Sequence, residues 1–359
     1  MKNQFSKPLQ TKIDRLKKKQ RPLKLGGVNF SSPLLLAPMS SICNAPFRLL
    51  MEELGAGGTV SELISCHGII RKNEKTTKML FVDPREKNVG LQIFGEEDSI
   101  MAEAAQVAES YSPKFIDINM GCPVRKVVTK GGGSALLREP KKLASFFSKI
   151  KKNLSIPLSI KIRTGWDEAN INADEIINVA HNEGVEFVAI HGRTRTQQYK
   201  GKADWNYLEN ISSNSPLPVI GNGDLNVKND IIKRLQITHC KALMIGRAAL
   251  RNPFIFLEGI QEEGDETTFS AKDIYEVSER LFFHLSKTVD RERVLLVQMR
   301  KHLIWLAAGY NNVSHFRNEL FRTTNIEEIQ QISKEFFLSL GPAQKKIKDS
   351  QSFMMGGHG

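Results

Sequence analysis

The segment Asp117-Ile118-Asn119-Met120-Gly121-Cys122-Pro123 sets an amide and a thiol just past an apolar run. Gly121 permits a sharp bend there, and Pro123 ends the strand. A free cysteine is most often a buried small hydrophobe, and that reading suits Cys43, Cys66 and Cys240. Cys122 differs because its loop follows a strand end. An unperturbed thiol has a pKa of about 8.5 and is mostly protonated at neutral pH. Cys122 is therefore a candidate general acid, whereas nucleophilic work would need a thiolate. No His/Asn pattern of a cysteine protease accompanies it.

Lys161 and Arg163 lie two residues apart in Ile160-Lys161-Ile162-Arg163-Thr164-Gly165, so both point to one face of a strand. A lysine inside a folded core is costly unless it meets a partner or ligand. Two roles stay open for it: a Schiff-base lysine of aldolase type, or a cation beside the electron-rich edge of a flavin. His191-Gly192-Arg193, Asn222-Gly223-Asp224 and Gly246-Arg247 end three later apolar runs. Glycines that admit close backbone approach, with Arg247 as the cation, fit a phosphate group. No GxGxxG follows the first strand, which leaves a Rossmann dinucleotide site unsupported. Ala37-Pro38-Met39 ends the first strand and would let backbone approach a flat ligand, although alone it is a weak motif.

The elements that must hold these residues alternate. Eight short apolar strands are predicted at Pro33–Met39, Gly58–Glu62, Val89–Phe94, Phe115–Met120, Pro157–Arg163, Phe187–His191, Pro218–Asn222 and Ala242–Arg247, with helical patterns between them. Asp98 is the predicted cap of a helix over Ser99–Ser110, and Gly55 and Gly184 stand where helices should stop. The fold class is α/β, a (β/α)₈ TIM barrel, whose C-terminal face carries the site. After Pro253 the alternation stops and a polar stretch, Glu262–Thr268, follows. Val277, Leu281, Leu285 and Val289, then Leu295, Met299 and Leu303, recur at helical spacing, and Thr324 or Asn325 caps a further helix. The expected division is a basic segment over 1–22, a barrel over 23–258, an all-helical domain over 266–342 and a disordered tail over 343–359.

The chain has 359 residues, a formal net charge of +12 and a pI near 9.4. Such an excess favours polyanionic partners. The cations cluster at Lys17–Arg21, Arg125–Lys130, Arg193–Lys202, Arg291–Lys301 and Lys345–Lys348. No run is long and apolar enough for a membrane span, the N-terminus lacks a secretory apolar core, and the four cysteines have no metal-ligand spacing. A cytoplasmic protein without membrane or metal partners is expected, as a monomer.

Taken together, these residues resemble the tRNA-dihydrouridine synthase family, within it the bacterial DusB-type branch. The resemblance runs from Ala37-Pro38-Met39 through Gln92, Asn119-Met120-Gly121-Cys122-Pro123, Lys161, His191-Gly192-Arg193 and Asn222-Gly223-Asp224 to Gly246-Arg247. Its most specific stretch is Gly121-Cys122-Pro123-Val124-Arg125-Lys126-Val127 with Lys130 and Gly133-Ser134-Ala135-Leu136-Leu137, and Met299–Trp305 extends it into the helical domain. Gly132 departs from the Ala expected there.

The resemblance implies FMN at the barrel mouth. Pro38, Met39 and Gln92 would line its ring, Lys161 would sit at the N1/O2 edge, and His191, Asn222, Gly223, Gly246 and Arg247 would hold the ribityl phosphate end, with Asp224 also among the cofactor-binding residues. It also implies NADPH, or NADH, as reductant, hydride delivery from the flavin N5 to C6 of a flipped-out uracil, and protonation of C5 by Cys122. Asn119 and Arg163 would orient the uracil, while Arg193, Arg195, Lys200, Lys202, Arg300 and Lys301 would contact RNA. His302 and Trp305 read as helix packing. The substrate implied is tRNA; ribosomal RNA with the same chemistry, and a small-molecule pyrimidine flavoenzyme of dihydroorotate dehydrogenase type, are the alternatives. A flavin-free RNA-binding protein on a barrel scaffold is a rival of another class.

Overall fold

The computed structural model describes residues 3–341 and Lys345, so the tail expected over 343–359 otherwise lies outside the described residues. An antiparallel hairpin, β1 (Leu23–Leu25) and β2 (Val28–Phe30), precedes the barrel. The sheet contains β3 (Leu34–Leu36), β4 (Gly58–Val60), β5 (Ile64–Ser65), β6 (Val89–Phe94), β7 (Phe115–Met120), β8 (Leu158–Arg163), β9 (Phe187–His191), β10 (Val219–Asn222) and β11 (Ala242–Ile245). Its order is β4-β3-β11-β10-β9-β8-β7-β6-β5, and β4 also pairs with β6, closing eight parallel strands into a ring. The short β5 is an extra piece on the edge of β6. The first strand is shorter than expected because Pro33 and Pro38 have no N–H for a ladder.

Residues alternate between two hydrophobic environments, as strands in a closed barrel must. Outward-facing Ile116, Ile118, Ile160 and Ile162 join the core beneath the helices. Inward-facing Leu35, Val60, Phe115, Phe187, Ala189, Ile220 and Met244 fill the floor with Phe30 from β2. Phe30 packs edge-on against Phe115 and Phe187 with centroids 6.0 Å away in each case. A side chain at Gly90 would come within 2.2 Å of the Phe115 ring, so the aromatic floor requires glycine there. The floor confines open space to the opposite, C-terminal end.

Gly55 and Gly184 take φ values of 96° and 82° immediately after the helices Ala45–Glu53 and Ala173–Asn182, the left-handed stop expected of them. Asp98 does not cap its helix. The helix begins at Asp98 itself, with Glu97 preceding it, and the Asp98 carboxylate instead pairs with Lys149 at 2.7 Å on the helix Pro140–Lys152.

Four helices follow: Ala271–Ser286, Glu292–Ala307, Val313–Arg322 and Ile326–Ser339. Ser270 and Asp273 form a reciprocal capping box on the first, and Asn325 rather than Thr324 caps the last. Polar ties bind this unit to the barrel: Arg280 Nε donates to Glu53 at 2.9 Å, and Asn44 donates to Gln298 at 2.9 Å. His302 stacks on Phe47 with centroids 5.3 Å apart, which makes it a packing residue. The basic N-terminal segment contains an unanticipated helix, Lys7–Lys17, that buries Leu9, Ile13 and Leu16. Lys12 reaches Asp273 at 2.9 Å, while Arg15 and Lys19 reach Asp265 at 3.1 and 2.8 Å, so this helix also holds the polar connection between the two units.

Candidate active site

Parallel register lays the chemistry-bearing residues side by side. Gln92 pairs with Asp117 and Asp117 with Ser159; one layer up, Asn119 pairs with Lys161, and one layer above that Arg163 pairs with His191 and His191 with Asn222. Their side chains converge on a cavity of about 470 Å³ at the C-terminal mouth, a volume ordinary for a small-molecule or cofactor site. Pro38, Met39, Gln92, Asn119, Cys122, Lys161, Arg163, His191, Arg193, Asn222, Gly223, Asp224, Gly246 and Arg247 all line it.

Cys122 is half-buried while the other three cysteines are buried. Its backbone N–H donates to Asn119 Oδ1 at 2.9 Å, and its carbonyl accepts from the Ser134 hydroxyl at 2.8 Å. Burial raises the thiol's pKa above the ordinary value, so it holds its proton at neutral pH. Gly121 lies outside the left-handed region, and a Cβ there would only touch the β8 backbone at 3.4 Å.

Lys161 Nζ donates to Asn222 Oδ1 at 3.1 Å, and Asn222 Nδ2 donates to the Met244 carbonyl at 2.7 Å, which fixes the amide's orientation. Burial, then Arg163, pull the lysine down to about 8, with Asp117 opposing them. It stays charged at pH 7. His191 is driven well below its ordinary range by burial and by the surrounding Arg163, Lys161, Arg193 and Arg247. Its Nε2 lies 3.2 Å from Arg193 Nη1, a group that can only donate, so Nε2 accepts and the proton of the neutral ring is on Nδ1. The site offers a neutral imidazole and cations, a donor-rich lining suited to an anionic ligand.

Arg163 is a clamp: Nε donates to the Gly121 carbonyl at 2.8 Å, and Nη1 to the carbonyls of Thr194 and Gln198, each at 2.8 Å. It joins the Cys122 loop to the loop after β9. Arg193 was expected on the RNA surface, but it is 3% exposed and forms bidentate bonds to Asp224 at 2.7 and 2.9 Å. Asp224 also accepts from the Ala203 N–H at 2.7 Å. This carboxylate thus braces the loop after β9 through Arg193 and Ala203 while lining the cavity. Gly223 has φ 129°, and a Cβ would come within 2.6 Å of Ala203, so the loop closes over His191 only with glycine.

Arg195, Arg300 and Lys301 do not line the cavity. Arg195 packs over Trp166 at 4.5 Å, with Arg138 over the same ring at 4.9 Å. Arg300 donates to the Thr323 carbonyl inside the helical unit and Lys301 to the Ser41 carbonyl across the interface, so both already tie parts of the protein together. Lys200 and Lys202 remain exposed, as do Arg125, Lys126 and Lys130 beside the mouth. Tyr199 was missed: it lines the cavity, with Arg247 at 4.8 Å and Arg163 at 5.7 Å from its ring. Its only sequence signal was an aromatic inside the basic run Arg193–Lys202.

The sequence profile described as "Dihydrouridine synthase (Dus)" matches residues 35–340. The chain belongs to the dihydrouridine synthase family. It is 31% identical over 328 residues to a "Probable tRNA-dihydrouridine synthase" of Rickettsia conorii, covering 90% of this chain and 98% of that one. It is 34% identical over 299 residues to "tRNA-dihydrouridine synthase B" of Vibrio cholerae, covering 82% and 92%. Among solved structures, histamine dehydrogenase from Rhizobium sp. 4-9 superposes with a TM-score of 0.53 at 12% identity, over 75% of this chain and about half, 51%, of that one. At that identity the likeness concerns the fold alone. The family is generally flavin-dependent. Among the described residues no helix is long and apolar enough to cross a membrane.

Proposed function

We propose that this enzyme reduces uridines in tRNA to 5,6-dihydrouridine, with FMN as cofactor, NADPH as reductant and Cys122 as the acid. The observation that carries the reading is the convergence of a protonated thiol, a buried ammonium and a phosphate-compatible loop pair on one cavity. The residues fit the flavin: a Cβ at Gly246 would project toward Ala37 and Met39, filling space a flat ring could use. Lys161 would hold the negative edge of the ring, Pro38, Met39 and Gln92 its faces and rim, and His191, Asn222, Gly223 and Arg247 the phosphate end. When bound, the reduced flavin supplies the hydride that adds to C6 of the uracil.

Cys122 Sγ gives its proton to C5, and the thiolate that remains is reprotonated from solvent. Arg163, through the Gly121 carbonyl, keeps the Cys122 loop from swinging out of the cavity. Asn119 would meet the edge of the uracil with the N–H that Gln92 does not use. A base in folded RNA reaches such a cavity only after leaving its stack. Exposed Arg125, Lys126, Lys130, Lys200 and Lys202 at the rim can offset that cost through phosphate contacts.

Dihydrouridine mapping of tRNA and rRNA from a strain lacking the gene, complemented with wild type or Cys122→Ala, tests this. Loss of specific tRNA dihydrouridines, restored by wild type alone, is expected. Intact tRNA modification with loss in rRNA, or activity on free orotate or uracil with none on RNA, would refute it.

A further inference from the structure

We propose that Asp117 is a positioning residue whose carboxylate, acting through Gln92 and Asn119, holds the Cys122 loop in its reactive place. The proposal rests on Cys122 being the acid of the reaction.

A continuous chain of hydrogen bonds crosses three strands. Ser159 Oγ donates to Asp117 Oδ1 at 2.6 Å, and Gln92 Nε2 donates to Asp117 Oδ2 at 2.6 Å. Asn119 Nδ2 donates to Gln92 Oε1 at 2.9 Å. Asn119 Oδ1 then accepts from the backbone N–H groups of Gly121 at 3.3 Å and Cys122 at 2.9 Å. Gln92 and Asn119 line the cavity, whereas Asp117 does not and sits among the aromatic floor residues. Whatever Asp117 does for the reaction is therefore transmitted.

The chain has a direction. An amide can present either its oxygen or its nitrogen to a neighbour, so two linked amides could run either way. An ionised carboxylate only accepts, and a backbone N–H only donates. With Asp117 at one end and the Cys122 N–H at the other, both Gln92 and Asn119 are restricted to one orientation. Each then keeps one N–H outside the chain, so the wall beside Lys161 is built of donors. Burial raises Asp117 to about 6, against the opposing pull of Gln92, Ser159 and Lys161, which leaves it ionised at neutral pH. A buried carboxylate is costly. No strand pairing requires one here, since an apolar residue would suit the floor better.

Without the carboxylate, Gln92 Nε2 loses its acceptor in a buried setting and turns to seek another. Asn119 then loses the neighbour that fixes its amide. The test is native-state alkylation of Cys122 by iodoacetamide, read by mass spectrometry, with buried Cys43, Cys66 and Cys240 as internal controls. Turnover with tRNA is measured alongside. Asp117→Ala is expected to alkylate about tenfold faster at Cys122 alone and to turn over about tenfold slower, the factor that about 1.4 kcal/mol represents. Asp117→Asn should stay close to wild type, because its Oδ1 can accept from Gln92 while its Nδ2 donates to Ser159.

If Asp117→Ala does not fold, the double variant Asp117→Asn with Ser159→Ala takes its place, since it lacks the partner that selects the Asn orientation. The same two changes are expected of it. A wild-type value in either measurement, in whichever of these two variants folds, overturns the proposal. Normal turnover in Cys122→Ala would instead refute the acid role of the thiol, and the alkylation rates of the Asp117 variants remain readable in that event.

Discussion

Replacing Lys161 by methionine keeps most of the side chain's volume and removes the ammonium. In the ligand-free protein burial lowers this lysine from 10.5 to about 8, which at 1.36 kcal/mol per pH unit makes its charged form cost about 3 kcal/mol at neutral pH. Against this stands the bond to Asn222 at 3.1 Å, worth about 2 kcal/mol for a charged donor. Lys161→Met is therefore expected to stabilise the flavin-free protein by about 1 kcal/mol while weakening flavin binding by about tenfold or more. The sign against pH follows. A lysine depressed in the folded state opposes folding fully below about pH 8, and that opposition fades as pH rises from 8 toward 10.5. Wild type should gain stability over this window and Lys161→Met should not. Urea unfolding of flavin-free protein at pH 7 and 10, with fluorescence titration of FMN, measures both quantities. A variant clearly less stable than wild type at pH 7, or one that binds FMN equally well, would refute the reasoning.

Phe30→Ala opens the barrel floor between Phe115 and Phe187 and should lower stability by about 3–5 kcal/mol in urea unfolding, with little change in RNA affinity. Arg193→Met breaks the bidentate pair with Asp224 and should weaken flavin binding without changing the salt dependence of tRNA binding. Changing exposed Lys200 and Lys202 together to alanine should do the reverse, reducing the log–log salt slope by about 1 for each phosphate no longer neutralised. Cys122→Ala should bind FMN normally and show severely slowed uracil reduction in single-turnover assays; near-normal rates would exclude its acid role.

The barrel, the helical unit after it and most of the cavity wall were legible because strand alternation, helical spacing and strand-end motifs are local patterns. The amphipathic helix Lys7–Lys17 was equally legible in Leu9, Ile13 and Leu16, yet its density of lysines obscured it. What each cation does was not legible. Arg193, Arg195, Arg300 and Lys301 stand in basic runs like Lys200, but only folding decides which cation meets Asp224, Trp166 or a carbonyl and which meets water. Asp98 failed as a cap for the same reason, since Lys149 comes from another helix.

By itself the sequence determined that Cys122 and Asn119 leave one strand together, that Lys161 and Arg163 share a face, and that glycines flank Arg247 and Asn222. These follow from the covalent spacing of neighbours along a strand. The tertiary structure alone decided the register that sets Gln92, Asp117 and Ser159 in one row, and with it the hydrogen-bond chain running to Cys122. Hydrogen bonds between side chains act over about 3 Å, and only the parallel pairing of β6 with β7 and of β7 with β8 brings these side chains within that distance.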